Sequence, residues 1–128
     1  MPQNKDKNLD SRGKALLIAQ LAADKKASDV VVLDMEGLTS FTDFFVVCSG
    51  SSTTQVKAIA DNIVETLKAK GVRSLGVEGT KNAMWVLIDF GDVVVHVFEE
   101  ETRAFYELEK LWLDAQRLDV SGGSEKIS

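Results

Sequence analysis

Two apolar runs on either side of Gly91-Asp92 restrict this chain more than anything else in it. Trp85-Val86-Leu87-Ile88-Asp89-Phe90 precedes the pair, and Val93-Val94-Val95-His96-Val97-Phe98 follows it. Two strand-forming runs joined by a two-residue connection with Gly first predict a tight hairpin. With Phe90 facing Val93, side chains alternate between the two faces of the ribbon. One face carries Val86, Ile88, Phe90, Val93, Val95 and Val97. It is wholly apolar and is the expected core face. The other carries Trp85, Leu87, Asp89, Val94, His96 and Phe98, with Trp85 opposite Phe98 and Leu87 opposite His96. A solvated face carries Lys, Thr, Glu and Ser instead. Two readings stand: an interaction surface with a few polar groups, or a face covered by a second helix layer, with Asp89 and His96 satisfied inside.

The rest of the chain supplies partners for this hairpin. Asp10 or Ser11 caps a predicted helix carrying Ala15, Leu16, Leu17, Ile18, Leu21 and Ala22. Val30–Leu33 and Phe44–Cys48 read as buried strands. Val56, Ile59, Ala60, Ile63 and Leu67 repeat at helical spacing and stop at Gly71. Val72–Val77 reads as a further short strand. A last helix follows Glu99-Glu100-Glu101, with Phe105, Leu108, Leu111, Trp112 and Ala115 as its stripe. The expected fold is a single α/β domain with a mixed sheet of about five strands and helices mainly on one face. Residues 1–10 read as a disordered leader, 11–118 as the domain, and 119–128 as a disordered polar tail.

A chain of 128 residues is one domain and needs no staple. Fifteen Lys and Arg against twenty Asp and Glu leave a net charge of -5. That balance argues against a main grip on nucleic-acid phosphates and favours a basic partner. The single cysteine, Cys48, excludes an internal disulfide and suits a reducing compartment. With one histidine beside it, sites needing several nitrogen or sulfur ligands are excluded too, leaving only a carboxylate-held magnesium. No run suits a signal peptide or a membrane helix, so the expected location is the cytoplasm.

Candidate chemistry is sparse. Gly50-Ser51-Ser52 lies between a strand and a helix, where a phosphate can be cradled, but the lysine of a P-loop is missing. A helix-capping turn explains the same residues. A nucleotidyltransferase-like enzyme would use Gly50, Ser51, Asp89 and Asp92, yet the place of the acidic pair such enzymes need is taken by Asp61-Asn62-Ile63, inside a predicted helix, so the pair is missing. His96 with Asp89 has no placed nucleophile. Cys48, in mid-strand, is expected to be buried and inert. No cofactor and no metal are expected.

Several motifs in order carry a resemblance. Asp43-Phe44-Phe45-Val46-Val47-Cys48-Ser49-Gly50-Ser51-Ser52 comes first, then Gly76-Val77-Glu78-Gly79, Trp85, Ile88-Asp89, and Gly91–Val97. Tyr106-Glu107-Leu108-Glu109-Lys110-Leu111-Trp112 closes the series. Across residues 12–113 the chain resembles the ribosomal silencing factor family, also called the Iojap family. The resemblance implies a small α/β domain similar to the nucleotidyltransferase fold but without its activity. It implies binding to the large ribosomal subunit through ribosomal protein fourteen at the intersubunit face, which obstructs small-subunit joining when nutrients are scarce. Organellar relatives act in ribosome assembly or translation. The tail beyond Trp112 is longer than the family pattern. Trp85, Leu87, Asp89, His96 and Phe98 are the expected partner-binding face, with Glu78, Asp92 and Glu99 as acidic neighbours for a basic ribosomal protein. A homodimer through the same face is compatible with this.

Overall fold

The computed structural model describes residues 9–106 and 115–120. In chain order the elements are α1 (Ser11–Asp24), β1 (Ser28–Asp34), β2 (Phe44–Gly50), α2 (Thr53–Ala69), β3 (Gly76–Glu78), β4 (Trp85–Asp89), β5 (Val93–Glu99), α3 (Glu100–Tyr106) and β6 (Gln116–Leu118). The strands form one six-stranded sheet in the order β3-β4-β5-β2-β1-β6. Only β2 and β5 run parallel among its neighbours; every other pair is antiparallel. The chain is thus a mixed α/β domain, as the hydrophobic pattern predicts.

The hairpin has the predicted register. Trp85 pairs with Phe98, Val86 with Val97, Leu87 with His96, Ile88 with Val95, and Asp89 with Val94. Phe90 N donates to Val93 O at 2.9 Å, closing the turn. Gly91 there has a φ of 89°, a left-handed value that a side chain disfavours. Strand β5 also pairs along its full length with β2, from Phe44↔Val93 to Gly50↔Glu99. It is therefore an interior strand.

Helices α1 and α2 cover the predicted core face. Asp10 caps α1 by accepting from Gly13 N at 2.8 Å, and Ser52 caps α2 by accepting from Gln55 N at 3.1 Å. From α1, Ala15, Ile18, Ala19 and Ala22 enter the core; from α2 come Val56, Ile59, Ile63 and Leu67. They meet Val32, Val46, Cys48, Val86, Ile88, Val93, Val95 and Val97 of the sheet. The alanines of α1 let it lie close, and polar links fix it against α2. Asn62 Nδ2 donates to Leu21 O at 3.0 Å, and Gln55 Nε2 donates to Lys25 O and Lys26 O at 3.0 and 3.1 Å. These bonds satisfy carbonyls at the end of α1 that the helix leaves orphaned.

Two expectations need correction. The third strand begins at Gly76, not Val72, because Val72 N donates to Leu67 O at 2.8 Å and still belongs to the end of α2. The segment Gln116–Leu118 is a sixth strand, pairing with β1 from Asp34↔Gln116 to Val32↔Leu118. Its three residues carry no alternating apolar signal, so periodicity passes over them. The last helix follows Glu99 as expected, and the Glu99 carboxylate caps α3, accepting from Glu101 N at 3.2 Å and Thr102 N at 3.1 Å. Leu108, Leu111 and Trp112 of the expected stripe, most of the leader and the tail from Ser121 lie outside the described residues. Among the described residues no helix is long and apolar enough to cross a membrane.

Ile88 is fully buried beneath α2 on the core face. Ile88→Ala is expected to lower unfolding free energy by roughly 2–5 kcal/mol, through lost burial and the cavity left behind. Urea denaturation followed by circular dichroism measures it.

Candidate functional site

The second hairpin face is divided between covered and open parts. Its β2–β5 half is covered. Phe98 and Val47 are fully buried, and His96 keeps only 5% of its surface. Helix α3 reaches this side through Arg103, whose Nη1 donates to Ser49 Oγ at 2.8 Å and to Asp29 O at 2.7 Å. The β3–β4 half is more open. Trp85 and Leu87 are partly buried, while Glu78 and Gly79 are exposed. These four residues line a shallow groove of about 290 Å³. The face is thus divided: β2–β5 is covered, as the second-layer reading has it, and β3–β4 stays partly open.

The groove is built on a stack of rings. Trp85 lies against Phe98, with ring centroids 4.8 Å apart and planes 30° apart. Its indole Nε1–H donates to His96 Nδ1 at 3.1 Å. The Phe45 and His96 rings meet edge to face at 4.8 Å. Nε2 of His96 is buried and makes no hydrogen bond. Burial pulls the imidazole pKa down from 6.5 to about 4, because a charged ring there would lose its water. The floor under Trp85 is thus aromatic and neutral at physiological pH.

A glycine completes the groove. Gly79 has a φ of 86°, and a Cβ there would run into the carbonyl oxygen of Trp85. Only glycine allows the loop after β3 to pass so close to β4. Gly79 belongs to the Glu78-Gly79 motif but was not among the expected contact residues. Its signal is a Glu-Gly pair closing a strand, which the pattern shows as a turn and not as a groove wall.

The eight expected contact residues therefore separate. Glu78, Trp85 and Leu87 share the groove. Asp89 lies beside them on β4, but its carboxylate accepts from Gly91 N at 2.7 Å and shapes the turn. His96 and Phe98 form the floor, with too little surface to touch a partner. Asp92 is drawn away to α1, where Lys14 Nζ pairs with it at 2.9 Å and Ser11 Oγ donates to it at 2.7 Å. Burial alone would raise the Asp92 pKa, but these donors outweigh it and hold the carboxyl low. Glu99 is at the far end of β5, and its bonds to the start of α3, led by Glu101 N, lower its pKa.

The groups a nucleotidyl-transfer centre would use do not converge. Ser51 N and Oγ both lie against Gln55 Oε1, at 2.6 and 2.9 Å. A Cβ on Gly50 would press on Val56 of α2. Asp89 and Asp92 are committed to separate partners, the turn and α1. Burial pushes the Cys48 thiol up to about 12 despite Arg103 nearby, so it stays protonated. What the groove offers is an aromatic face, an aliphatic wall and a carboxylate lip, which suit recognition of a protein surface.

Comparison with known proteins bears on the whole chain. The family model "Ribosomal silencing factor during starvation" matches residues 8–128. A ribosomal silencing factor of Halalkalibacterium halodurans is 48% identical over 99 residues, covering 77% of this chain and 85% of that protein. A solved protein from Chromobacterium violaceum superposes with a TM-score of 0.80 at 36% identity, covering 94% of this chain and all of that one. The mouse "mitochondrial assembly of ribosomal large subunit protein 1" is 35% identical over 99 residues, 75% of this chain and 43% of its own length.

The buried His96 makes stability depend on pH. Its folded pKa of about 4 lies below the ordinary 6.5, so the unfolded chain binds more protons between those values. Stability is complete above pH 6.5 and declines as pH falls toward 4, by roughly 3 kcal/mol from this group. Denaturant midpoints at pH 7.5, 5.5 and 4.5 measure the decline, and His96→Leu is expected to flatten it.

Proposed function

This chain belongs to the ribosomal silencing factor family, and from that premise we propose that it binds the large ribosomal subunit and prevents the small subunit from joining. The groove of Glu78, Gly79, Trp85 and Leu87 carries this reading. It presents a partly open indole beside an acidic lip, at the edge of the sheet formed by β3. On the same strand Val77 is 37% exposed, and Leu75 just before it is 74% exposed, which extends the apolar surface around that edge. An aromatic anchor with a charged rim is the usual make-up of a protein-binding centre. The net charge of -5 suits a basic ribosomal protein as the contact. The family resemblance points to protein fourteen of the intersubunit face, and to use when nutrients are scarce. The role is regulatory rather than enzymatic, in the cytoplasm, and rests on the domain spanning 11–118.

Steric blocking has a specific signature. The protein should co-sediment with free large subunits and be absent from joined ribosomes, whose intersubunit face is already covered. Pre-incubated large subunits should give fewer joined ribosomes on a gradient. Equal binding to joined ribosomes would replace blocking with a role in assembly.

Two substitutions locate the surface. Trp85→Ala is expected to weaken large-subunit binding by ~2 kcal/mol or more, the cost typical of an aromatic anchor. It also removes packing against Phe98, so a melt must accompany it. Glu78→Lys alters an exposed position and should leave the melt unchanged while slowing association. Raising salt should slow wild-type association for the same reason, because exposed charges are screened beyond ~8 Å at physiological ionic strength.

A further inference from the structure

We propose that His96 is a positioning residue for docking: it holds the Trp85 ring in the orientation the partner meets, without touching the partner itself. This rests on the docking role of Trp85 given above. His96 has 5% of its surface exposed, so it is not a contact. Among the described residues, its side chain's single hydrogen bond is the one accepted from Trp85 Nε1 at 3.1 Å. The indole nitrogen is a donor only, so Nδ1 must be the acceptor and the proton of the neutral ring sits on Nε2. That Nε2–H is buried and unpartnered. An unpaired buried polar group is destabilising, and an aliphatic residue at this position would avoid it. Histidine is thus a poor choice for packing alone. What it adds is an acceptor at one fixed point under the indole.

The fixed point matters because of where Trp85 sits. Its ring leans on Phe98 and also lines the groove. Stacking of one ring on another sets the plane of an aromatic ring but not its rotation within that plane. The Nε1–H to Nδ1 bond removes that freedom, since only one ring orientation brings the indole N–H to His96. The His96 ring is itself fixed, edge-on to Phe45 at 4.8 Å and stacked with Phe98 at 6.2 Å. An anchor ordered before binding loses less entropy when the partner arrives.

The test compares two near-isosteric substitutions. Asn carries a side-chain oxygen at about the position of Nδ1; Leu has the same shape and no acceptor. His96→Leu should release the Trp85 indole N–H, seen as faster hydrogen exchange of its side-chain NMR signal. It should also speed dissociation from large subunits about five- to tenfold, the effect of one hydrogen bond of about 1 kcal/mol or slightly more. His96→Asn should keep the protected indole signal and near-wild-type dissociation. Packing alone predicts the opposite order, with Leu the better replacement. Trp85→Phe removes the same bond from the other side, so Trp85→Phe with His96→Leu should be no worse than the larger single effect. Additive losses, or Asn and Leu behaving alike, overturn the proposal. If Trp85→Ala binds large subunits as the wild type does, the docking reading fails instead. The indole exchange would still report whether His96 orients the ring.

Discussion

Strand β5 has no solvent side, and the rest of the molecule follows from that. It pairs with β4 and β2 along its edges, so its backbone groups are satisfied by neighbouring strands. Val93, Val95 and Val97 face α1 and α2, and His96 and Phe98 face the opposite way, also buried. A strand apolar on both faces must be covered on both, or it becomes a site of association. Two amphipathic helices satisfy one side. On the other, cover is centred on β5 and β2, and thins toward β3 and β4. Among the described residues, the groove lies where that cover stops.

The hairpin's legibility came from its period of two. Once Gly91-Asp92 is placed at the turn, every residue from Trp85 to Phe98 is assigned a face and a partner, and the observed pairs agree. Long helical repeats placed α1 and α2 for the same reason, and Asp10 and Ser52 cap them as their side-chain chemistry requires. Strand β6 was not legible, because three residues give too little pattern to register. Its strand character comes from the free edge of β1, which is a tertiary property.

Within the site, sequence placed Trp85, Leu87, His96 and Phe98 on one face but did not rank their exposure. Exposure depends on what lies above each strand, and alternation carries no such information. The acidic neighbours illustrate the same point. Asp92 is adjacent to the hairpin in sequence, yet α1 brings Lys14 to it from 78 residues away. Glu99 follows Phe98 directly, and the start of α3 takes its carboxylate. Glu78, by contrast, lies exposed on the edge strand β3. Charge near an apolar face marks a candidate contact; the fold decides whether it is already in use.

This division also separates the residues that hold the fold from those of the proposed docking surface. The residues of the groove are on β4, the neighbouring edge strand β3 and the loop after it, where partial exposure makes substitutions less disruptive. The interior residues of β5 and β2 hold the fold, and substitutions there act first on stability. Trp85 joins the two sets, since its ring is part of the groove and part of the cover over Phe98. His96 lies just beneath it, with its imidazole Nδ1 accepting from that ring. A surface built in this way is ordered by the core it rests on, so binding need not supply the energy to arrange it. The polar atom left unpaired at His96 Nε2 is consistent with that arrangement, because a core selected for stability alone has no reason to bury it.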